Sequence, residues 1–536
     1  MRKITLLVLI LILGSGLLFA LGGQQSAGAA SSPISTPVGQ YPVSSDGTLR
    51  YWMSLHSNIA ANYTNFGDTP LAQELLRKTG IKVQFEHPAG NTTQIVQTAF
   101  NLMVASLDLP DIMEYNWVTV TGGPEKYIDD GIILRLNDVI ERYAPNLRAV
   151  LRANSSYDRA VKTDNGNYYV FPFIRGDEKL MYSQGLMIRQ DWLNDLGLQA
   201  PQTIQEWHDV LVAFRDRKGA TAPFTMVFSN RGRMFMPSFG ILNEMFVSAT
   251  TGRVTDGRIE PGYRQWITTM AQWYREGLID TDIVSVTTAQ QNQKMTAGTS
   301  GATVASVGSG MGTWTPAARP TTPSYLITAL QYPVLNRGDR LVYSIPNQPY
   351  SGQDSPAITT KSTNVELAAR FLDYGYSTQG HLTYNFGTEG TSYTMIGGKP
   401  IYTNLVMRNP NGWSVVQGMS AYSRGPMAGP FVQDVGYIEQ YYAEPEQAQA
   451  LINYILPGAV NYLLPPITPT QAESQEYASI MQEINTYVEE RTTRWLIGTE
   501  AITDATWNDY LATVRRMGID RAIEIQNAAL TRYNRR

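Results

Sequence analysis

The amino-acid sequence predicts an α/β protein with two lobes, and three observations support this fold class. The chain has 536 residues, which is more than one hydrophobic core usually serves. Strand and helix patterns alternate between residues 49 and 115, as they do in a sheet with right-handed crossovers. In residues 165–196, two extended runs are separated by polar residues, a pattern that favours passage of the chain between lobes.

The first lobe should carry a sheet whose strands end at a ligand-binding edge. Strands are predicted at 49–53, 81–85 and 111–115, with helices at 70–79 and 93–105 between them. Ligands of such sheets sit beyond the carboxyl ends of the strands. Asn116 and Trp117 follow the third strand directly, so we expect both residues at this edge.

The passage between the lobes is predicted from residue 168 onward. Pro172 cannot donate to a sheet ladder, so the run 168–173 should end the first lobe and the run 180–188 should begin the second. Arg175 and Asp177 lie between the two runs, where the lobes face each other.

The remaining chain alternates between helices and a few strands. A helix is predicted at 137–151, before the passage, and a small-residue strand at 301–307 leads into a glycine-rich loop that ends at Trp314. This loop lacks the G-x-x-G half of a dinucleotide fingerprint, so we expect it to bring backbone N–H groups and Trp314 to a ligand rather than to bind a cofactor. Further strands are predicted at 341–347 and 357–359, and further helices at 191–196, 203–217, 261–276, 365–376, 470–488, 504–517 and 520–533.

Composition excludes several classes of site. The net charge of −4 and the lack of a basic run argue against a nucleic-acid partner. The sequence has no Cys and four scattered His, so we expect neither a metal centre nor a thiolate nucleophile, and no cofactor is expected. The 31 Tyr and 10 Trp outnumber the 15 Phe, which suits a wet binding surface at least as well as a dry core.

The N-terminus has the pattern of an export signal. Arg2 and Lys3 precede an apolar run that gives way to small residues, so residues 1–29 are predicted to be a signal peptide. A retained membrane anchor is the alternative, because the run approaches the length that spans a bilayer. Residues 30–48 are rich in Ser, Pro, Gly and Thr, and we expect a flexible linker there.

Seven short motifs follow one another along the chain, at residues 189–193, 196–198, 274–280, 368–374, 386–390, 485–490 and 516–522. Taken in order, they resemble the extracellular solute-binding proteins of ABC sugar importers, most closely the long lipoprotein-like branch for oligosaccharides. The resemblance implies a periplasmic-binding-protein-like fold of type II, with a hinge and extra C-terminal helices. It also implies lobe 1 at 49–171 and 331–405, and lobe 2 at 172–330 and 406–536. The lipobox cysteine of that branch is replaced by Leu21, which puts lipid anchoring in doubt.

The resemblance implies an exported receptor, periplasmic or at the cell surface, that captures an oligosaccharide without catalysis and delivers it to an ABC permease. We expect this receptor to be a monomer. Aromatic rings would cover sugar faces and planar polar groups would take the hydroxyls. An oligopeptide receptor, a secreted glycosidase and an interaction protein of the cell envelope remain alternatives. The candidate ligand contacts are Asn116, Trp117, Arg175, Asp177, Trp314, Asp354 and Trp413.

Overall fold

The computed structural model describes residues 34–350 and 352–536, so the predicted signal peptide lies outside the described residues. The strands are β1 Thr48–Trp52, β2 Lys82–Glu86, β3 Ile112–Tyr115, β4 Ile174–Arg175, β5 Gln184–Arg189, β6 Phe224–Thr225, β7 Met245–Val247, β8 Val254–Asp256, β9 Ala302–Ser306, β10 Ile327–Leu330, β11 Ser355–Ile358, β12 Tyr393–Ile396, β13 Lys399–Tyr402 and β14 Val432–Gln433. The α-helices are α1 Ser57–Ala60, α2 Pro70–Thr79, α3 Thr93–Ser106, α4 Gly123–Asp129, α5 Asn137–Tyr143, α6 Pro145–Ala153, α7 Ser155–Ala160, α8 Gln190–Leu196, α9 Ile204–Lys218, α10 Pro261–Arg275, α11 Thr288–Thr296, α12 Gly312–Ala318, α13 Val365–Asp373, α14 Thr378–Phe386, α15 Asn404–Met407, α16 Val415–Tyr422, α17 Val435–Tyr441, α18 Pro445–Asn453, α19 Gln471–Leu496, α20 Asp504–Arg516 and α21 Ile519–Tyr533.

The first sheet has the strand order β2-β1-β3-β11. The strands β2, β1 and β3 run parallel, and β11 returns antiparallel to β3. The helix α2 begins where Thr69 accepts a hydrogen bond from Ala72 N at 3.2 Å, and it ends at Gly80 with φ of 71°. The three predicted strands and the two helices between them are confirmed to within about two residues.

The second sheet has the order β10-β5-β9-β6, and a separate core covers each of its faces. Successive side chains of a strand point to opposite faces, and β5 shows this directly. Leu186 and Ile188 pack in the core with α8, α9 and α10, whereas Met187 packs in the core that contains Trp314. The two sheets with their own cores confirm the predicted α/β class.

The chain returns to the core of the first sheet at Tyr350, continues in it as far as Tyr384, and contributes to it once more with Met427, Ala428 and Phe431. Phe386 already packs with Trp314 on the second sheet. The helix α19 packs on α10 and α21 and reaches the first lobe at its beginning, where Ser474 Oγ accepts a hydrogen bond from Gly122 N at 3.1 Å. The lobe boundaries given above stay predictions.

The passage between the sheets differs from its prediction in detail. Residues 169–173 are held by hydrogen bonds to β11, from Phe171 N to Pro356 O and from Phe173 N to Ser355 Oγ, without forming a strand. The expected second run begins with a 3₁₀ turn, Glu178–Met181, because Asp177 Oδ1 accepts a hydrogen bond from Lys179 N. The strand β5 therefore starts at Gln184 rather than at residue 180.

Three other predicted elements differ from the structure. The helix expected at 137–151 is two helices, because Pro145 cannot continue α5 and instead starts α6. The strand expected at 341–347 has no ladder partner and is not a strand. The glycine-rich loop is helical, since a π-helical turn, Val307–Met311, runs directly into α12.

The start of the described chain is in contact with the first lobe. Val43 is buried, and its N–H donates to Thr79 O at 2.7 Å. The buried Arg370 guanidinium donates to Thr36 O and Pro37 O, and Tyr41 OH donates to Arg370 O. The flexible linker expected at 30–48 therefore differs from the structure in residues 36–43, where a buried arginine needs these backbone carbonyls as partners.

Candidate ligand-binding cleft

Two adjoining cavities form a cleft at the carboxyl ends of β1 and β3. The strand-end cavity has a volume of about 550 Å³ and is lined by Met53, Glu114, Tyr115, Asn116 and Arg424 among others. The interlobe cavity has a volume of about 580 Å³ and lies between the first sheet, the passage at Arg175 and the end of β9. His56, Asp354 and Met427 line both cavities. Together they offer space for a ligand larger than one sugar ring.

The floor of the strand-end cavity is a buried ion pair. Arg424 donates two hydrogen bonds to Glu114, at 2.6 and 2.9 Å, and Tyr51 OH donates to the same carboxylate. Burial alone lowers the pKa of Arg424, but the Glu114 charge outweighs it and the net pKa lies above its ordinary value. A side chain at Gly429 would place its Cβ 2.8 Å from Arg424 Cζ, so only glycine leaves room for this guanidinium.

Arg175 forms one wall of the interlobe cavity. It ends β4, whose two residues pair with β14. Its guanidinium donates to Gln348 O and to Gln353 Oε1, both at 3.0 Å, and it lies 5.4 Å from the ring centre of Phe173. Burial lowers the pKa of Arg175, although the group remains a cation at neutral pH. These contacts hold a nearly buried positive charge at a fixed point of the cleft.

Asp354 stands at the junction of the two cavities. Its backbone is in the left-handed region with φ of 37°, which is uncommon for a residue other than glycine. The carboxylate is exposed to the cleft, yet the protein surrounds this depression closely enough that desolvation raises the pKa of Asp354, against the opposing charge of Arg424. Its position makes it available to ligands in either cavity.

Two tyrosine rings present faces to the cleft that sequence reasoning missed. Tyr115 ends β3, is half-buried in the strand-end cavity and stacks on Phe100 with ring centres 4.0 Å apart. Tyr441 ends α17, is half-buried in the interlobe cavity and approaches Gly308 so closely that a Cβ there would lie 2.8 Å from its ring. The excess of tyrosine over phenylalanine was the available signal, although it could not single out these two positions.

Three of the seven predicted contacts line the cleft. Arg175 and Asp354 line the interlobe cavity, and Asn116 lines the strand-end cavity. The Asn116 Oδ1 atom is buried and accepts no hydrogen bond from the described part of the protein. An unsatisfied buried acceptor of this kind suits a ligand hydroxyl.

The other four predicted contacts lie elsewhere. Trp117 and Trp314 are fully buried in the cores of the first and second sheets, and Trp314 Nε1 donates to Asn292 Oδ1 at 2.7 Å. Trp413 is half-buried outside both cavities, with its ring 6.0 Å from that of Tyr63. Asp177 caps the 3₁₀ turn described above. None of these four residues lines either cavity, and their contact with a ligand stays a prediction.

A match to the family of bacterial extracellular solute-binding proteins covers residues 60–381, which is more than half of the chain. The chain belongs to this family. Its members bind solutes between two lobes, and the two sheets on either side of the cleft described here have that arrangement. The predicted family and the two-lobe fold of type II are therefore confirmed.

Two similar proteins align along most of this chain, and a third aligns along part of it. The fructooligosaccharide ABC transporter substrate-binding protein FusA of Streptococcus pneumoniae serotype 4 is 23% identical over 539 residues, covering 95% of each chain. The crystal structure of the alginate-binding protein AlgQ2 without calcium ion has a TM-score of 0.72 and 25% identity, covering 91% of this chain and 98% of that one. The polygalacturonan/rhamnogalacturonan-binding protein YtcQ of Bacillus subtilis strain 168 is 22% identical over 216 residues, covering 39% of this chain and 41% of that protein.

Two of the similar structures refer to calcium or to an EF-hand, namely AlgQ2 and a FusA EF-hand mutant with fructo-nystose. An EF-hand loop needs Asp or Asn at positions 1, 3 and 5, Gly at 6 and Glu at 12. No stretch of this sequence has that pattern. Within residues 34–350 and 352–536, no three His, Asp or Glu side chains are grouped to hold a metal ion. The described residues do not fit a calcium site.

Among the described residues, no helix combines the length and the apolar character needed to cross a membrane.

Proposed function

We propose that this protein captures an oligosaccharide in the cleft and delivers it to the membrane permease of an ABC importer. The observation that carries the proposal is the lining of the cleft, where the half-buried rings of Tyr115 and Tyr441 lie among amides, hydroxyls and charged groups. Sugars present apolar C–H faces and paired hydroxyls, which these two kinds of surface match. The relatives named above are a fructooligosaccharide ABC transporter substrate-binding protein, an alginate-binding protein and a polygalacturonan/rhamnogalacturonan-binding protein, which supports the same class of ligand.

Five residues of the cleft would contact the sugar. Tyr115 and Tyr441 would stack on sugar rings in the strand-end and interlobe cavities. Asn116 and Asp354 would accept hydrogen bonds from hydroxyls, and Arg175 would donate them. Residues 169–175, 347–350 and 352–354 pass between the two sheets, so hinge bending there would close the cleft over the ligand.

The chemistry of the cleft favours binding over catalysis. A glycosidase needs an acid and a second carboxylate that are both free to react. Glu114 and Asp354 share the strand-end cavity, but the Glu114 carboxylate already accepts hydrogen bonds from Arg424 and Tyr51. We therefore propose a receptor that works without catalysis or cofactor, exported and monomeric, with the permease as its protein partner.

A ligand panel tests the proposal. Thermal unfolding and calorimetry with neutral oligosaccharides, acidic oligosaccharides and oligopeptides should show stabilisation by sugars, about 2.7 kcal/mol at 100 times the dissociation constant. Arg175→Gln should lower the affinity, and the exposed Arg142→Gln should leave it unchanged, because Arg142 makes no side-chain hydrogen bond in the described chain.

Two results would contradict the proposal. Stabilisation by oligopeptides alone would identify a peptide receptor. Release of shorter sugars during incubation, followed by chromatography, would identify an enzyme.

A further inference from the structure

The charges that line the cleft are few and they cancel. The charged side chains around the two cavities are Glu114, Arg175, Asp354 and Arg424, and no lysine is present among the described lining residues. Glu114 and Arg424 neutralise each other in a direct ion pair. His56 also lines both cavities, and burial together with the Arg424 charge lowers its pKa, so its imidazole is neutral at pH 7. The remaining charges are one cation, Arg175, and one anion, Asp354.

These two remaining charges are not equally available to a ligand. The Arg175 guanidinium is almost buried and already donates to Gln348 O and Gln353 Oε1. The Asp354 carboxylate is exposed to the cleft, and no side chain of the described protein donates to it or forms an ion pair with it. A ligand that fills the cleft must therefore pass close to a carboxylate that no other side chain of the described protein engages. Hydroxyl groups satisfy that carboxylate, whereas a second carboxylate is repelled by it.

We infer that the cleft selects uncharged oligosaccharides, and that Asp354 is the residue that excludes acidic ones. The inference rests on the proposed function and narrows it, because the relatives include binding proteins for both kinds of sugar. Asp354 serves both purposes at once, since it accepts hydroxyl groups of a neutral sugar and places a like charge against an acidic one. Its position where the cavities adjoin extends this effect over the whole cleft.

The test is calorimetry at pH 7 with neutral fructo- and galacto-oligosaccharides and with tri- and tetragalacturonate and alginate oligomers, at 50 and 500 mM NaCl. We expect a neutral sugar to bind with a dissociation constant that changes less than about twofold between the two salt concentrations. Acidic sugars of equal length should bind at least about a hundredfold more weakly. Asp354→Asn should reduce this discrimination by at least about tenfold.

The control is Asp129→Asn, which removes an exposed carboxylate outside the cleft and should leave the discrimination unchanged. Asp354→Ser repeats the test with a smaller hydroxyl acceptor, and a thermal melt shows that each variant is folded.

Tighter binding of an acidic sugar, weakened by salt, would overturn the selection for neutral ligands while leaving the proposed function intact. Equal discrimination in the Asp354 variants would overturn the role of Asp354. A lack of binding to every sugar would overturn the proposed function and this inference together.

Discussion

Tyr115 and Trp117 lie two residues apart at the end of the same strand, yet Tyr115 lines the cleft and Trp117 is buried in the core. The Tyr115 ring stacks flat on Phe100 and leaves its other side toward the strand-end cavity. The Trp117 ring meets Phe100 edge-on, with ring centres 5.6 Å apart, and is fully buried. The turn after β3 points the larger ring inward. The comparison teaches that the cleft uses half-buried tyrosines, which combine an apolar face with a polar tip, while the tryptophans fill the cores.

The buried rings should matter for stability rather than for affinity. Replacing Trp314 by alanine removes a fully buried ring and leaves a cavity, so we expect the free energy of unfolding to fall by about 3–5 kcal/mol. Urea unfolding measures this change, with the half-exposed Trp413→Ala as the matched control and a much smaller expected loss. A Trp314→Ala variant that was as stable as the wild type but had lost its sugar affinity would contradict this prediction. It would show that Trp314 contacts the ligand.

A buried carboxylate of the first core should also affect stability. Asp373 is fully buried, accepts hydrogen bonds from Leu147 N and Asn146, and burial raises its pKa to about 6. Between about pH 4 and pH 6 the unfolded chain loses this proton while the folded chain keeps it. Stability should therefore decrease as the pH rises through this window, by about 3 kcal/mol from Asp373 alone.

Denaturant unfolding at pH 4, 5, 6 and 7 measures this contribution as the difference between the wild type and Asp373→Asn. The decrease between pH 4 and pH 6 should be smaller in Asp373→Asn and unchanged in the exposed Asp129→Asn. Parallel pH profiles for the wild type and Asp373→Asn would show that Asp373 keeps an ordinary pKa despite its burial.

The cleft rings should show the reverse behaviour, with a smaller effect. Tyr441→Ala removes a half-buried ring from the interlobe cavity and should weaken sugar binding by about 1 kcal/mol, or roughly fivefold, with little change in stability. Tyr441→Phe retains the ring face and should retain most of the affinity. Calorimetry of the wild type and the two Tyr441 variants measures these affinities. If Phe and Ala weaken binding equally, the hydroxyl rather than the ring contacts the ligand.

Much of the first lobe followed from local patterns. Thr69, Pro70 and Gly80 mark the beginning and end of α2 by chemistry that acts within one helical turn, and the neighbouring strands were placed correctly. The strand expected at 341–347 failed because a strand requires a partner, and sequence patterns do not show whether one is adjacent. The glycines before Trp314 were interpreted as a loop, although packing of Trp314 in the core accompanies a helical turn there.

The sequence by itself determined the α/β class, the helix ends, the family and three of the polar and charged residues that line the cleft. Those properties depend on periodicity, on capping and on motifs that are contiguous in the chain. Tertiary structure decided which rings line the cleft, because the sequence around Tyr115, Trp117 and Tyr441 does not show which ring is buried in a core. It also decided that Glu114 meets Arg424, 310 residues away. Among the described residues that line the cleft, Asp354 is therefore the carboxylate that no other side chain engages. Contacts between distant segments depend on packing over the whole chain, which no local pattern records.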